Sequence, residues 1–168
     1  VMVGTTPIGG PLPTAAIWDV AYFGTDPVGA SKFQVFGRPV VDSRLSLIGI
    51  RDPYRNDPWG RVVSMGVSVG RDHKLSDRDQ VGGDVQVAYL QGSGVADNDH
   101  EQVTMRWKRQ FTHPMLEAAF WGVDGMVESY RRNLSGFTKG HGGYWSPQFH
   151  GRARLSIDAR TRDLQPFI

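Results

Sequence analysis

The residues best equipped for chemistry in this chain are five histidines, His73, His100, His113, His141 and His150, and the polar run Asp97-Asn-Asp-His-Glu101. Imidazole beside carboxylate is the raw material of metal binding and of general acid–base work. No pair of these residues has a recognisable ligand spacing, and Asp- and Asn-rich runs form turns through bonds to their own backbone. Gly92-Ser-Gly94 opens like a phosphate-binding fingerprint, but Asp97 stands where the third glycine belongs and no helical pattern follows. Ser93 is flanked by glycines yet lacks the nucleophile-elbow pattern, and the triplet Asn133-Leu-Ser135 is of a kind that arises often by chance. The reading is of a protein that is not an enzyme and that uses no cofactor and no metal. An enzymatic reading would require His100 or His141 in a concave site with a carboxylate within hydrogen-bond reach.

A different chemistry is concentrated in Asn133-Leu-Ser-Gly-Phe-Thr-Lys-Gly-His-Gly-Gly-Tyr-Trp-Ser-Pro-Gln148. Gly140, Gly142 and Gly143 permit positive φ or close backbone approach, and Pro147 ends regular pairing. Tyr144 and Trp145 then present two broad amphipathic rings on an irregular turn or constriction.

The elements that carry these residues read as strands. Val63, Met65, Val67 and Val69 alternate with Ser64, Gly66, Ser68 and Gly70; Val85, Val87 and Tyr89 alternate with Asp84, Gln86 and Ala88. Val103, Met105 and Trp107 oppose Gln102, Thr104, Arg106 and Lys108, and Ala153, Leu155, Ile157 and Ala159 oppose Arg152, Arg154, Ser156, Asp158 and Arg160. A side-chain period of two is the mark of a strand with one apolar and one polar face. Trp18, Val20 and Tyr22 begin an earlier strand, and Lys32 to Val41 forms another, interrupted by Pro39. The apolar stretch within Met115 to Tyr130 is read as two strand segments broken around Asp124-Gly125. Turn signals fall at 25–29, 51–60, 71–79, 91–100 and Thr112-His-Pro114. With no internal repeat, the pattern predicts an all-β antiparallel meander of roughly seven or eight strand segments, at or below the smallest closed bacterial barrel.

Composition agrees. The chain has 168 residues, 39% of them hydrophobic, with 21 glycines, 10 prolines and no cysteine, which suits strands and turns that owe nothing to disulfides. No apolar run reaches the roughly eighteen residues of a membrane helix. That leaves β-barrels open, because their strands need only alternate. A net charge of +2, with its basic residues dispersed, gives no nucleic-acid footprint. Alternation by itself suits a soluble β-sandwich or β-barrel as well as a membrane barrel, since the two differ only in which face is wet.

Three ordered stretches carry a family resemblance. Gly140-His-Gly-Gly-Tyr-Trp-Ser-Pro-Gln148 resembles a signature of the C-terminal outer-membrane barrel of cellulose synthase operon protein C. So does Arg38-Pro-Val-Val-Asp-Ser-Arg-Leu-Ser-Leu-Ile-Gly-Ile-Arg-Asp-Pro53 followed by Trp59-Gly60, and Gly94-Val-Ala-Asp-Asn98 falls between them in the family's order. The positions matching the family pattern are Asp42, Ser43, Arg51, Asp52, Pro53, Trp59, Gly60, Asn98, Gly140, His141, Gly142, Gly143, Ser146 and Pro147.

The resemblance implies an outer-membrane β-barrel domain, whole or partial, spanning residues 1–168 and lacking the family's helical-repeat region. It implies a porin-like channel for cellulose export in the bacterial outer membrane, and hence a role in biofilm. Its partners would be the β-1,4-glucan chain, outer-membrane lipid and, through periplasmic repeats, the inner-membrane cellulose synthase complex. On that view Gln86, Thr104, Arg106 and Lys108 are lumen candidates. Tyr144 and Trp145 would stack on glucose rings, shape the exit loop, or join an interfacial aromatic girdle. Arg51-Asp-Pro53 reads as a structural turn. The family's barrel is longer than this chain, which opens Val-Met-Val-Gly-Thr-Thr-Pro without a signal peptide, so the expectation is an excerpt of a longer precursor. The alternatives are assembly from several copies, a shortened relative that has become a soluble or periplasmic accessory, and a soluble β-sandwich or β-barrel that binds a glycan. The direction of Val63, Met65, Val67, Val103, Met105 and Trp107, outward or into a packed core, separates channel from module.

Overall fold

The computed structural model describes residues 1–112 and 116–161. The chain runs β1 (Met2–Thr5), β2 (Ala16–Asp26), β3 (Gly29–Pro39), α1 (Arg44–Ile48), β4 (Ile50–Arg51), β5 (Pro58–Lys74), β6 (Asp79–Ser93), β7 (Asn98–Phe111), β8 (Leu116–Tyr130) and β9 (His150–Thr161). Eight strands pair in the order β1-β2-β3-β5-β6-β7-β8-β9, and β4 pairs with the start of β5. Every strand pairing is antiparallel, giving the expected all-β meander. Among the described residues no pairing joins β1 to β9, so the sheet is open, a partial barrel.

The register carries the alternation across the whole sheet. Phe33 faces Val69, Val69 faces Val85, Val85 faces Val103 and Val103 faces Val127, so one row of apolar side chains crosses five strands. On the opposite face Gln34 faces Ser68, Ser68 faces Gln86 and Gln86 faces Gln102. The polar face is the concave one, because one groove of about 340 Å³ is bounded by side chains of β2, β3, β5, β6 and β7.

The apolar face is uncovered. Met105 is 69% exposed, Leu155 80% and Ile157 78%, and Val67, Val69, Val85, Val87 and Val103 are exposed beside them. A soluble sheet buries such a face against a second layer. Burial here lies on the concave side at one end, where Phe36, Val62, Ala88 and Leu90 pack with Leu134 and Tyr144. The end is set by the connections: residues 40–57 and 131–149 return there, whereas β2–β3 and β5–β6 close at the other end in short turns.

Three expectations need correction. β8 is one strand, not two. Asp124 and Gly125 continue the ladder, opposite Arg106 and Met105 on one side and Arg154 and Ala153 on the other. The Asp124 carboxylate is held by Arg154, so an Asp-Gly pair that looks like a turn is kept extended by its neighbours. Second, Trp59 and Gly60 belong to β5, and β4 forms inside the segment expected to be a turn. Third, α1 was not anticipated. Ser43 caps it, its side chain accepting from the Ser46 amide while Ser46 Oγ accepts from the Ser43 amide, a reciprocal box with serine at the position glutamate commonly fills. The Thr112-His-Pro114 turn lies largely outside the described residues.

Candidate functional site: a polar groove and its clamp

The four lumen candidates come together. Gln86 and Arg106 line the groove described above, and Thr104, Arg106 and Lys108 line a neighbouring groove of about 530 Å³ with Asp124, Arg152 and Arg154. The period-two pattern places them on one face; the register makes them neighbours.

Much of the charge along this face is paired. Arg106 Nε donates to Asp72 at 3.0 Å and its Nη1 to Asp84 at 2.9 Å, tying β7 to β5 across β6. Gly82 makes that possible, since a Cβ there would lie 1.9 Å from the Asp72 oxygen. Asp19 accepts from Gln34 and from the Arg38 guanidinium, Arg154 donates to Asp124, and Lys108 lies 3.9 Å from Asp158. These partners were not singled out from the sequence, because opposite charges on different strands become pairs only once register is known. The arrangement offers many exchangeable hydrogen bonds.

The residues of the resembling stretches converge elsewhere, at the end that holds the core. Asn98 is buried. Its amide nitrogen donates to the Arg132 carbonyl at 2.8 Å and to Tyr144 Oη at 3.1 Å, while its oxygen accepts from the Arg132 amide at 2.8 Å. Ser146 Oγ accepts from the Leu134 amide at 2.7 Å, the Leu134 carbonyl accepts from both Gly142 and Gly143, and the Pro147 carbonyl accepts from Tyr130. The Gly140 carbonyl accepts from Ala96 at 2.9 Å, bringing the β6–β7 turn onto the same loop. Asp42 accepts from the Trp145 amide at 3.0 Å, and Ser43 starts the helix whose Leu45 is buried beside them. Gly60 and Gly143 both take positive φ, and a Cβ on either would strike Leu45. Trp59 is buried at the same junction. His141 bonds locally to Thr138.

Arg51 and Asp52 form the expected structural turn. Asp52 accepts from the Tyr54 and Arg55 amides just after Pro53, and Arg51 donates to the Asn56 carbonyl. Those two amides hold the Asp52 carboxyl below its ordinary value.

Tyr144 and Trp145 part company. Tyr144 is 1% exposed, packed in the core with its hydroxyl on Asn98, and burial pushes its phenol up. It anchors the loop and offers no face to a sugar. Trp145 is 51% exposed and meets His150 edge-on at 4.6 Å.

One cluster was missed by sequence reasoning. Glu128 accepts contact from His100 Nε2 and His150 Nδ1, each at 3.1 Å, while His100 stacks on Tyr130 at 4.2 Å. His100 therefore has its carboxylate within reach, the condition set for an enzymatic site. Both imidazoles share that one carboxylate, and the three residues join β7, β8 and β9 directly under the clamp. Among the described residues no group of three or more His, Asp or Glu side chains is arranged to hold a metal ion.

The chain's residues 1–167 match the family model "Cellulose synthase operon protein C C-terminus". The chain belongs to that family. Cellulose synthase operon protein C of Xanthomonas axonopodis pv. citri is 41% identical over 113 residues, 66% of this chain and 7% of that protein. The protein of the same name from Escherichia coli K12 is 27% identical over 168 residues, covering 95% of this chain and 14% of that protein. Cellulose synthase 2 operon protein C of Komagataeibacter xylinus is 28% identical over 135 residues, 72% of this chain and 9% of that protein. The chain thus spans a small part of the length of these relatives, within the portion the family model describes as the C-terminus.

Proposed function

We propose that this chain forms part of the wall of a bacterial outer-membrane channel through which cellulose or a similar exopolysaccharide leaves the cell. The inversion of the sheet's two faces carries the reading. A soluble glycan-binding module needs its apolar face packed, whereas a membrane barrel presents that face to lipid and keeps its polar face for water. Membership of a family named for the cellulose synthase operon supports cellulose as the polymer.

The dimensions suit this. Strands β5 to β8 have 14 to 17 residues, more than the roughly ten that a tilted strand needs to cross the hydrocarbon layer. On β6 the apolar positions run from Val81 to Tyr89, about 27 Å along the strand at ~3.4 Å per residue. Short turns at one end and long connections at the other follow the habit of bacterial barrels, with the long connections outside the cell. That orientation puts the clamp and Trp145 at the exit.

A neutral β-1,4-glucan needs hydroxyl partners, an occasional apolar ring face and sites weak enough to leave. Gln86, Thr104, Arg106 and Lys108 supply the first, with their charges neutralised by Asp72, Asp84 and Asp158, and the ring of Trp145 supplies the second. The domain acts as a conduit with no catalytic step. Delivery of the polymer falls to the inner-membrane synthase through the periplasmic repeats that the family resemblance implies.

The test is refolding with and without detergent micelles, followed by circular dichroism and heat-modifiable gel migration, then conductance of the full-length protein. Detergent-dependent, heat-modifiable β structure is the expected result. Cooperative folding in plain buffer would overturn the membrane placement and leave the soluble module.

A further inference from the structure

Arg61 is the one buried arginine among the described residues, 5% exposed, and no carboxylate among them lies within ion-pair distance of it. By contrast Arg38, Arg71, Arg106, Arg131 and Arg154 are all more exposed and all paired with an aspartate. Arg61 donates from Nη1 to the Leu12 carbonyl at 2.7 Å and from Nη2 to the Ile48 carbonyl at 3.3 Å, and its Nε is buried with no partner. It is the extra residue of a bulge. The ladder passes from Gly60 opposite Ser93 to Val62 opposite Gly92, leaving Arg61 unpaired at φ 45°. A side chain is held in that conformation only where its surroundings impose it.

Beside it lies a groove of about 460 Å³ lined by Arg61, Leu12, Ala16, Val63, Met65 and Gln91. Val63, Met65 and Gln91 share the register of the sheet's apolar face, and the groove sits where that face meets the long connections. The segment over it is fixed at its base, since Thr6 and Ala15 exchange two hydrogen bonds. The site therefore joins an apolar wall to a buried positive charge that has no counter-charge among the described residues. A charge in a low-dielectric site calls for an opposite one, and the guanidinium acts through space without giving up its two carbonyls.

We propose that this groove holds a membrane lipid with an anionic phosphate headgroup, its acyl chain along Val63 and Met65 and its headgroup beside Arg61. Charge complementarity selects the headgroup, and the position at the border of the apolar face selects a lipid over a free anion. The inference rests on the membrane placement proposed above.

Native mass spectrometry of the full-length protein in detergent tests it, with phosphatidylglycerol, phosphatidylcholine and inorganic phosphate as probes. Wild-type protein retains phosphatidylglycerol over phosphatidylcholine by about fivefold. R61Q, which removes the charge but keeps an amide donor, loses the preference, and R61K keeps it. A16F fills the groove without touching the guanidinium contacts and abolishes retention of both lipids. Equal preference in wild type and R61Q, or lipid retention undiminished in A16F, overturns the site; inorganic phosphate bound as well by A16F as by wild type makes it an ion site and overturns the lipid. Unchanged lipid retention in protein that still folds only in detergent overturns this inference alone. Folding without detergent overturns the membrane placement and the lipid site with it.

Discussion

The concave face has two halves built on opposite physical terms. At the end bearing the long connections it is dry: Tyr144, Phe36, Val62 and Leu90 are buried, and the polar groups among them, Asn98 and Ser146, have their bonding satisfied by backbone. Along the middle it is wet, and its charges meet in pairs that solvent reaches, such as Arg106 with Asp72 and Asp84. The same strands carry both halves, so strand geometry does not decide the difference. Covering does. Where α1 and the 131–149 segment lie over the sheet, each side chain is fixed by packing and is costly to change; where nothing lies over it, side chains are exchangeable.

Removing the clamp's largest fully buried side chain should break this contrast most. Tyr144→Ala vacates the core and frees Asn98, and a loss of about 3–5 kcal/mol is expected from large-to-small core replacements. Denaturant unfolding in detergent measures it. A loss under about 1 kcal/mol would mean that the covering segment is not packed as described. Asn98→Ala should cost about 1–3 kcal/mol by leaving the Arg132 amide and carbonyl unpaired while sparing the apolar contacts. In that variant the 131–149 segment should become the first to exchange its amide protons.

In the wet half the expected effect shifts from stability to conduction. Arg106→Gln removes a guanidinium that is about a third exposed, so stability should change by less than about 1 kcal/mol. Asp72 and Asp84 would then stand without their partner, and ion selectivity measured by reversal potential should move toward cations. An unchanged reversal potential would take Arg106 off the lumen.

The smallest effect belongs to the 52–57 turn, outside both halves. The folded Asp52 carboxyl is held below its ordinary value, so its contribution is present above the unfolded value and is lost as pH falls through the folded one. Amide exchange at Tyr54 and Arg55 should therefore gain on that of the neighbouring strands only below the ordinary carboxylate range. The same gain at neutral pH would dismiss the Asp52 contacts.

Much of this division was legible in the chain. Alternation in 63–70, 84–89, 102–108 and 152–160 gave the strands and both faces, because a period of two is written directly into side-chain order. Asp124-Gly125 misled because local turn propensity was outweighed by pairing on both sides with β7 and β9. The capping box at Ser43 passed unseen because serine at its third helical position is a weak signal. Tyr144 and Trp145 are adjacent and similar in type, yet one is buried in the clamp and the other lies half exposed.

The sequence by itself determined the fold class, the strand faces and, through its ordered motifs, the family, all of them properties of local order along the chain. Only the tertiary structure decided that those motifs form a packed clamp, that Glu128 bridges His100 and His150, that Arg106 spans three strands over Gly82, and that Arg61 is buried with no acid beside it among the described residues. Each depends on register and on which segment covers which, and these are fixed by contacts between residues far apart in sequence.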